Sequence, residues 1–335
     1  MAWCLFLFGI FTVLCAFTNS FGTLLAFRLL SGLALGGEWV VGAAMIAEYF
    51  PAESRAKATS LIQSSWPIGY FLVLGVQYWL VPIYGWRVLF LSGGLTVFGA
   101  LYIALFVKES PAWLHSQETL KQMAAANAEV TNAGVTESGL GYLFNKENIK
   151  GTVLASILCI FVLVAYWGGG SWIPAYLVNE KHFSLATSVS YLVTYNLGGL
   201  LGYVFYGYIS DKFGRRWNFW IGGYGSAISV ILFMTASTPF MVYSMAAIFG
   251  FFCLGYFGPM GTFLAEQFPT RVRGLGISVC YASGRLCAAA APFVLGKIAM
   301  IYSLKVAIML LAVVYAGGAI VTHFMKETKG TVIEI

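Results

Sequence analysis

An all-α polytopic membrane protein is the fold class this sequence predicts, and three observations predict it. Only 10% of the 335 residues are charged, against 59% hydrophobic, whereas a soluble domain carries roughly 25% charged residues. With so few charges, lipid must be the solvent for much of the surface. Ten apolar segments are long enough to cross a bilayer core of about 30 Å, which takes about 20 residues. The basic residues sort to one side of those segments, as the positive-inside rule requires. Glycine is abundant, at 38 residues against 9 prolines, which suits close helix packing in a membrane rather than disorder.

The segments fall at about 2–19, 23–49, 58–82, 87–107, 150–178, 185–210, 218–236, 240–266, 274–298 and 303–325. The one sizeable polar stretch, 108–149, holds Glu109, Glu118, Lys121, Glu129, Glu137, Lys146 and Glu147. It reads as a cytoplasmic connector between an N-terminal four-helix bundle (1–107) and a C-terminal six-helix bundle (150–326), with a cytoplasmic tail over 327–335. With the amino terminus in the cytoplasm, the inner side collects thirteen of the 19 basic residues. They are Arg55, Lys57, Lys108, Lys121, Lys146, Lys150, Lys212, Arg215, Arg216, Arg271, Arg273, Lys326 and Lys329. The outer side holds Arg87, Lys181 and Lys305, while Arg28, Arg285 and Lys297 fall within helices. A multi-pass protein of the cell membrane with both termini cytoplasmic is expected.

Several functions are disfavoured by composition. The net charge of +6 is spread one or two residues at a time, without the basic stripe a nucleic-acid partner needs. The cysteines Cys4, Cys15, Cys159, Cys253, Cys280 and Cys287 all lie in apolar segments and form no C-x-x-C, so they read as packing residues. His115, His182 and His323 lie in or next to loops and make no H-E-x-x-H. A G-x-x-x-x-G-K-[ST] loop is also lacking, which argues against an enzyme and against ATP-driven transport by this chain alone. The reading calls for no cofactor or metal, and for a monomer in the lipid bilayer.

The chain contains an internal repeat. Ala47-Glu48-Tyr49-Phe50-Pro51-x-x-x-Arg55 returns 218 positions later as Ala265-Glu266-Gln267-Phe268-Pro269-x-x-x-Arg273, and Lys108-Glu109-Ser110 returns at the same offset as Lys326-Glu327-Thr328. Two landmarks with one offset make the chain a pair of related bundles, a common plan among secondary transporters. At that offset Met1 matches Phe219, sixty-nine positions beyond Lys150. The first copy is therefore expected to lack two helices and the loop that follows them.

Gly207-x-x-x-Asp211-x-x-Gly214-Arg215-Arg216 resembles the cytoplasmic loop signature of the major facilitator superfamily. The resemblance extends to Arg28-x-x-x-Gly32-x-x-x-Gly36, Glu48-x-x-Pro51-x-x-x-Arg55, Gly85-Trp86-Arg87, Glu109-Ser110-Pro111 and Glu327-Thr328-Lys329-Gly330. Gly36-Gly37-Glu38 with Ser65-Trp66-Pro67-Ile68-Gly69 is similar to the sialate and monocarboxylate proton symporters. Tyr281-Ala282-Ser283-Gly284-Arg285 is similar to related metabolite and aromatic-acid proton symporters. The resemblance implies a major facilitator fold of two pseudo-symmetric bundles, here with four and six helices. It also implies proton-coupled symport of a small organic anion, monocarboxylate or sialic-acid-like, by alternating access. A sugar or neutral-solute porter would share the Glu48 and Pro51 pattern. The missing helices leave a transporter-like sensor or a non-transporting remnant as further alternatives.

Ionisable side chains inside a membrane are costly and usually face an interior or an aqueous cavity. Glu38 lies ten residues before Glu48, about 15 Å along its helix, and Arg285 twelve residues past Arg273, about 18 Å. Each bundle thus places one such group near the midplane, where transporter sites form. Arg285 offers a carboxylate two planar donors. Glu38 is the matching proton carrier, because removing a carboxylate from water favours its neutral form. Mutual neutralisation inside the bundle is the alternative for both. Arg28, about 30 Å from Glu48, belongs at the outer surface, as an outer gate or snorkelling to the interface.

Tyr166-Trp167-Gly168-Gly169-Gly170-Ser171-Trp172-Ile173-Pro174 combines helix-weakening residues with aromatics. Tyr166 and Trp167 either line a cavity or belong to an interfacial belt. Asn196, Gln63 and Tyr256 are further polar groups at cavity depth, and Gly32/Gly36 and Gly198/Gly202 read as packing seams. The resemblance implies a cytoplasmic gate built from Asp211, Arg215 and Arg216 with Glu48, Arg55, Glu266 and Arg273, carboxylates and guanidiniums pairing in one state and parting in the other. Static anchoring at the membrane surface is the alternative for these residues.

Overall fold

A computed structural model describes residues 1–109, 114, 118, 139–270 and 272–331. All ten expected segments are helical. Among the described residues, six stretches are long and apolar enough to cross a membrane by length and composition: Phe21–Tyr49, Arg87–Phe106, Ile149–Asn179, Pro239–Glu266, Arg273–Ile301 and Leu304–His323. The rest are Ala2–Ala16, shorter at 15 residues, Arg55–Gln63 continuing into Ser65–Trp79, Leu185–Phe213 and Arg215–Met234. Most of the connector expected over 108–149, including Ser110 and Pro111 of the Glu109-Ser110-Pro111 motif, lies outside the described residues, as do Arg271 and 332–335.

Helix starts follow their capping residues. Ser20, Ser184 and Thr238 each accept a hydrogen bond from the backbone N–H three residues on, which satisfies a donor the first turn cannot pair internally. Two of the helix breaks coincide with a proline. Pro67 has no N–H for the Gln63 carbonyl, and the third segment turns at Ser64. Pro259 does the same to the Gly255 carbonyl, and the eighth segment splits into Pro239–Gly255 and Met260–Glu266. The Gly168–Pro174 stretch behaves differently: the fifth segment stays one helix across Ile149–Asn179. Its glycines admit neighbours instead, since a methyl on Gly168 would lie 2.8 Å from Leu295 Cδ1.

Within the second half, the fifth segment packs on the ninth and tenth, the sixth on the eighth, and the seventh on the eighth and tenth. The Gly198/Gly202 seam is real: a methyl at Gly198 would collide with the Ala247 carbonyl, and one at Gly202 with that of Phe251. The Gly32/Gly36 pair is not such a seam. Gly32 has no neighbour within reach, and Gly36 meets only the Arg285 guanidinium, at 3.7 Å. In the first half, Ala2–Ala16 packs on the second and fourth segments, with Gly93 tight against Thr12. The halves meet where the second segment touches the eighth and ninth, and the third touches the sixth.

Candidate functional site: an aromatic cavity above a charged seam

A cavity of about 190 Å³ lies between the halves. The second segment contributes Leu35, Glu38, Trp39 and Ala43, and the third contributes Thr59, Gln63 and Trp66. Tyr166 and Trp167 of the fifth segment, Tyr203 of the sixth, Phe257 of the eighth, and Tyr281 and Arg285 of the ninth face them. Glu38, Arg285, Gln63, Tyr166 and Trp167 are thus brought together. Two other candidates point elsewhere. Asn196 is buried and donates to the Leu192 carbonyl of its own helix, at 2.7 Å. The Tyr256 ring lies against Gly222 and Phe219, beside a smaller void inside the second half.

Arg285 and Glu38 line the same space, yet neither belongs to an ion pair among the described residues. The Arg285 guanidinium instead sits over the Tyr281 ring, 5.1 Å from its centroid. That contact follows from helix geometry, because residues four apart share a face. Tyr281 is in turn stacked on Trp39 of the other half, with centroids 4.0 Å apart and planes 15° apart. The Trp39 indole N–H donates to Gln63 Oε1 at 3.3 Å. Trp167 packs edge-on against Tyr166, with centroids 5.2 Å apart, and remains 43% exposed. Arg28 lies exposed over Phe90 rather than facing the cavity.

Thr59 and Thr262, one from each half, are hydrogen-bonded below the cavity, and both hydroxyls also reach the Arg55 carbonyl. Next comes the charged seam. Glu266 Oε1 accepts from Arg55 Nη1 at 2.9 Å and Arg215 Nη2 at 2.9 Å; its Oε2 accepts from Arg215 Nε at 3.0 Å and the Thr328 hydroxyl at 2.7 Å. Arg215 also holds Asp211 at 2.7 Å and the Ala52 carbonyl at 3.0 Å. Asp211 accepts from the backbone N–H of Ala56 and Lys57, capping a helix of the opposite half. Arg273 Nη1 meets Glu48 Oε1 at 3.0 Å. Six of the seven expected gate residues therefore link the two halves. Arg216 does not: it donates to the His323 carbonyl and stacks over Trp220, both in its own half.

The pairing is reciprocal. Glu48 and Arg55 of the first repeat copy bind Arg273 and Glu266 of the second, so each copy's acid meets the other's base. Glu327, which the sequence offers only as a letter of the repeat and of the terminal motif, is part of the same end. Its oxygens accept the Arg215 and Arg216 backbone N–H groups at 2.8 and 3.0 Å, a carboxylate at a helix N-terminus. Gly214 makes room for it, with φ of 128° and no side chain to strike Glu327. Trp39, Thr59 and Tyr203 were likewise not flagged as cavity residues, and Trp66 and Tyr281 only as motif letters. Trp39 adjoins Glu38 and Tyr281 lies one turn from Arg285, which is the signal that could have found them.

Two helical halves in a membrane around a cavity at their seam are the architecture of a secondary transporter. The family model of the Major Facilitator Superfamily matches residues 1–201 and 187–332, and the chain belongs to that superfamily. The cis,cis-muconate transport protein of Acinetobacter baylyi is 30% identical over 323 residues, 96% of this chain and 76% of that protein. The sialic acid transporter NanX of Escherichia coli is 24% identical over 320 residues, 94% of this chain and 74% of that one. Among solved structures, the proton:xylose symporter XylE bound to 6-bromo-6-deoxy-D-glucose superposes with a TM-score of 0.77 at 19% identity, covering 99% of this chain and 80% of XylE. The protein is an integral membrane transporter of the secondary class and not an enzyme.

Proposed function

We propose that the chain carries a small organic anion across the cell membrane together with protons, by alternating access of the cavity between its halves. The observation that carries this reading is that Arg285 and Glu38 line one cavity, neither of them in an ion pair among the described residues. An unpaired charge in a closing, water-poor cavity costs several kcal/mol. A carboxylate on Arg285 and a proton on Glu38 remove both charges, so the loaded cavity closes at far lower cost than the half-loaded one. That difference is the coupling. The named cargoes of the two relatives, muconate and sialic acid, are both carboxylates, which supports an anion over a neutral sugar.

The charged seam then serves as the cytoplasmic gate, with the C-terminal tail on that side, while Met1 lies at the cavity beside Glu38 and Gly42. The arrangement has one bundle over 1–107 and a second over 150–326. The test is uptake of labelled carboxylates into proteoliposomes under an inward proton gradient. Arg285→Gln is expected to raise KM about tenfold or more, the worth of a charge-assisted bidentate contact. Glu38→Gln is expected to make uptake indifferent to the gradient; uptake still driven by it would remove Glu38 from the mechanism.

A further inference from the structure

Resting on the carboxylate reading above, we infer that Tyr281, braced by Trp39, is a positioning residue that parks the Arg285 guanidinium away from Glu38. One cavity then holds a free cation and a free carboxyl instead of an internal ion pair. The two groups share a space, and both are half-buried. Left to themselves they would neutralise each other, and neither an anion nor a proton would have a seat. What holds them apart decides whether the cavity can load.

The restraint is built from both halves. Tyr281 lies one helical turn before Arg285 on the ninth segment, so its ring stands against the guanidinium, 5.1 Å from centroid to Cζ. That ring is buried and has no room to swing aside. Trp39 of the first half is stacked on it at 4.0 Å, and the Trp39 indole is tied in turn to Gln63 Oε1. Gly36 gives the guanidinium its space: Arg285 Nη1 is 3.7 Å from where a β-carbon there would stand, two residues from Glu38. The backbone beside Arg285 is fixed as well, since a methyl on Gly284 would lie 2.6 Å from the Cys159 carbonyl of the fifth segment.

Magnitudes favour the parked position. A cation over an aromatic ring gains about fivefold to thirtyfold as the site passes from exposed to desolvated. An ion pair between groups still in contact with water gains about fivefold at most. Removing the ring reverses that order and sends Arg285 to Glu38. The other cation that acts on Glu38 is the Met1 amino group, and the Arg285→Gln change tells the two apart.

The test is labelling with dicyclohexylcarbodiimide, which adds to protonated carboxyl groups, on the full chain in liposomes. The initial rate at Glu38 is read by mass spectrometry. Glu38 is expected to label in the unaltered chain and in Tyr281→Phe, which keeps the ring. Tyr281→Leu is expected to slow labelling about fivefold, the yield of one partly hydrated ion pair, and Arg285→Gln added to it is expected to restore the rate. No labelling of Glu38 in the unaltered chain overturns the inference, because the carboxyl is then already paired. An unchanged rate in Tyr281→Leu overturns it too, as does a loss in Tyr281→Phe equally deep. So does a loss that Arg285→Gln fails to reverse, which is what damage to the fold or pairing with the Met1 amino group would give. No substrate enters the measurement, so failure here leaves the carboxylate reading to its own uptake assay.

Discussion

Replacing Glu266 with glutamine should open the charged end of the molecule. The side chain is fully buried and serves two arginines and a threonine: Arg55 from the first half, and Arg215 and Thr328 from the second. Glutamine keeps the shape but removes the negative charge, leaving Arg215 with Asp211 and Arg55 without an ion-pair partner among the described residues. Removing one partner of a buried ion pair costs about 3–5 kcal/mol. The glutamine carbonyl still accepts one of the hydrogen bonds, so about 2–3 kcal/mol is expected against the closed state. At 1.4 kcal/mol per tenfold, that shifts the closed-to-open ratio by about 30- to 150-fold. Spin labels at Lys57 and Lys212, whose ammonium groups both lie over the Tyr208 ring at 5.3 and 5.5 Å, report the change. In a background stripped of native cysteines, Lys57→Cys with Lys212→Cys should give a short distance alone, and a longer population when Glu266→Gln is added. An unchanged distance distribution would refute the role given to this seam.

Two further changes test the packing. Gly198→Val places side-chain atoms where the Ala247 carbonyl already stands, and the sixth and eighth segments must separate; a fall of several degrees in the melting temperature of the purified protein is expected, with reduced yield. Gly214→Ala forces a β-carbon into a positive-φ position, 2.7 Å from Glu327 Oε2; a loss of about 1–2 kcal/mol, read as a lower melting temperature, should accompany it, and Glu327→Ala in the same chain should relieve the steric part.

Much of this was legible in the sequence because membrane spans and repeats are written in composition and spacing. The Glu48/Arg55 and Glu266/Arg273 motifs declared themselves by their common offset, and depth counting placed Glu38 and Arg285 at one level. The crossed pairing of those motifs was hidden, since it depends on how one bundle is rotated against the other. Rotation about the helix axis also decided the fates of Asn196 and Tyr256: both lie at cavity depth, but Asn196 folds back on its own helix and Tyr256 turns into the second half. Counting residues gives height, not azimuth. The Gly168–Gly170 run shows a different limit. Weak helix formers signal a break only when no neighbour needs the space, and here Leu295 and Leu311 fill it.

The reciprocal Glu48–Arg273 and Arg55–Glu266 pairs have the form of an isologous contact, in which residue i of one unit meets j of the other and j meets i. Two separate subunits held by a seam of this size would be at the mercy of their concentration in the membrane. Joined in one chain, the bundles meet at an effective concentration set by the chain that links them and not by their abundance in the membrane. A contact too weak to keep two molecules together is then strong enough to keep one molecule shut. Because parting no longer means losing the partner, the same contact can be broken and remade on every cycle.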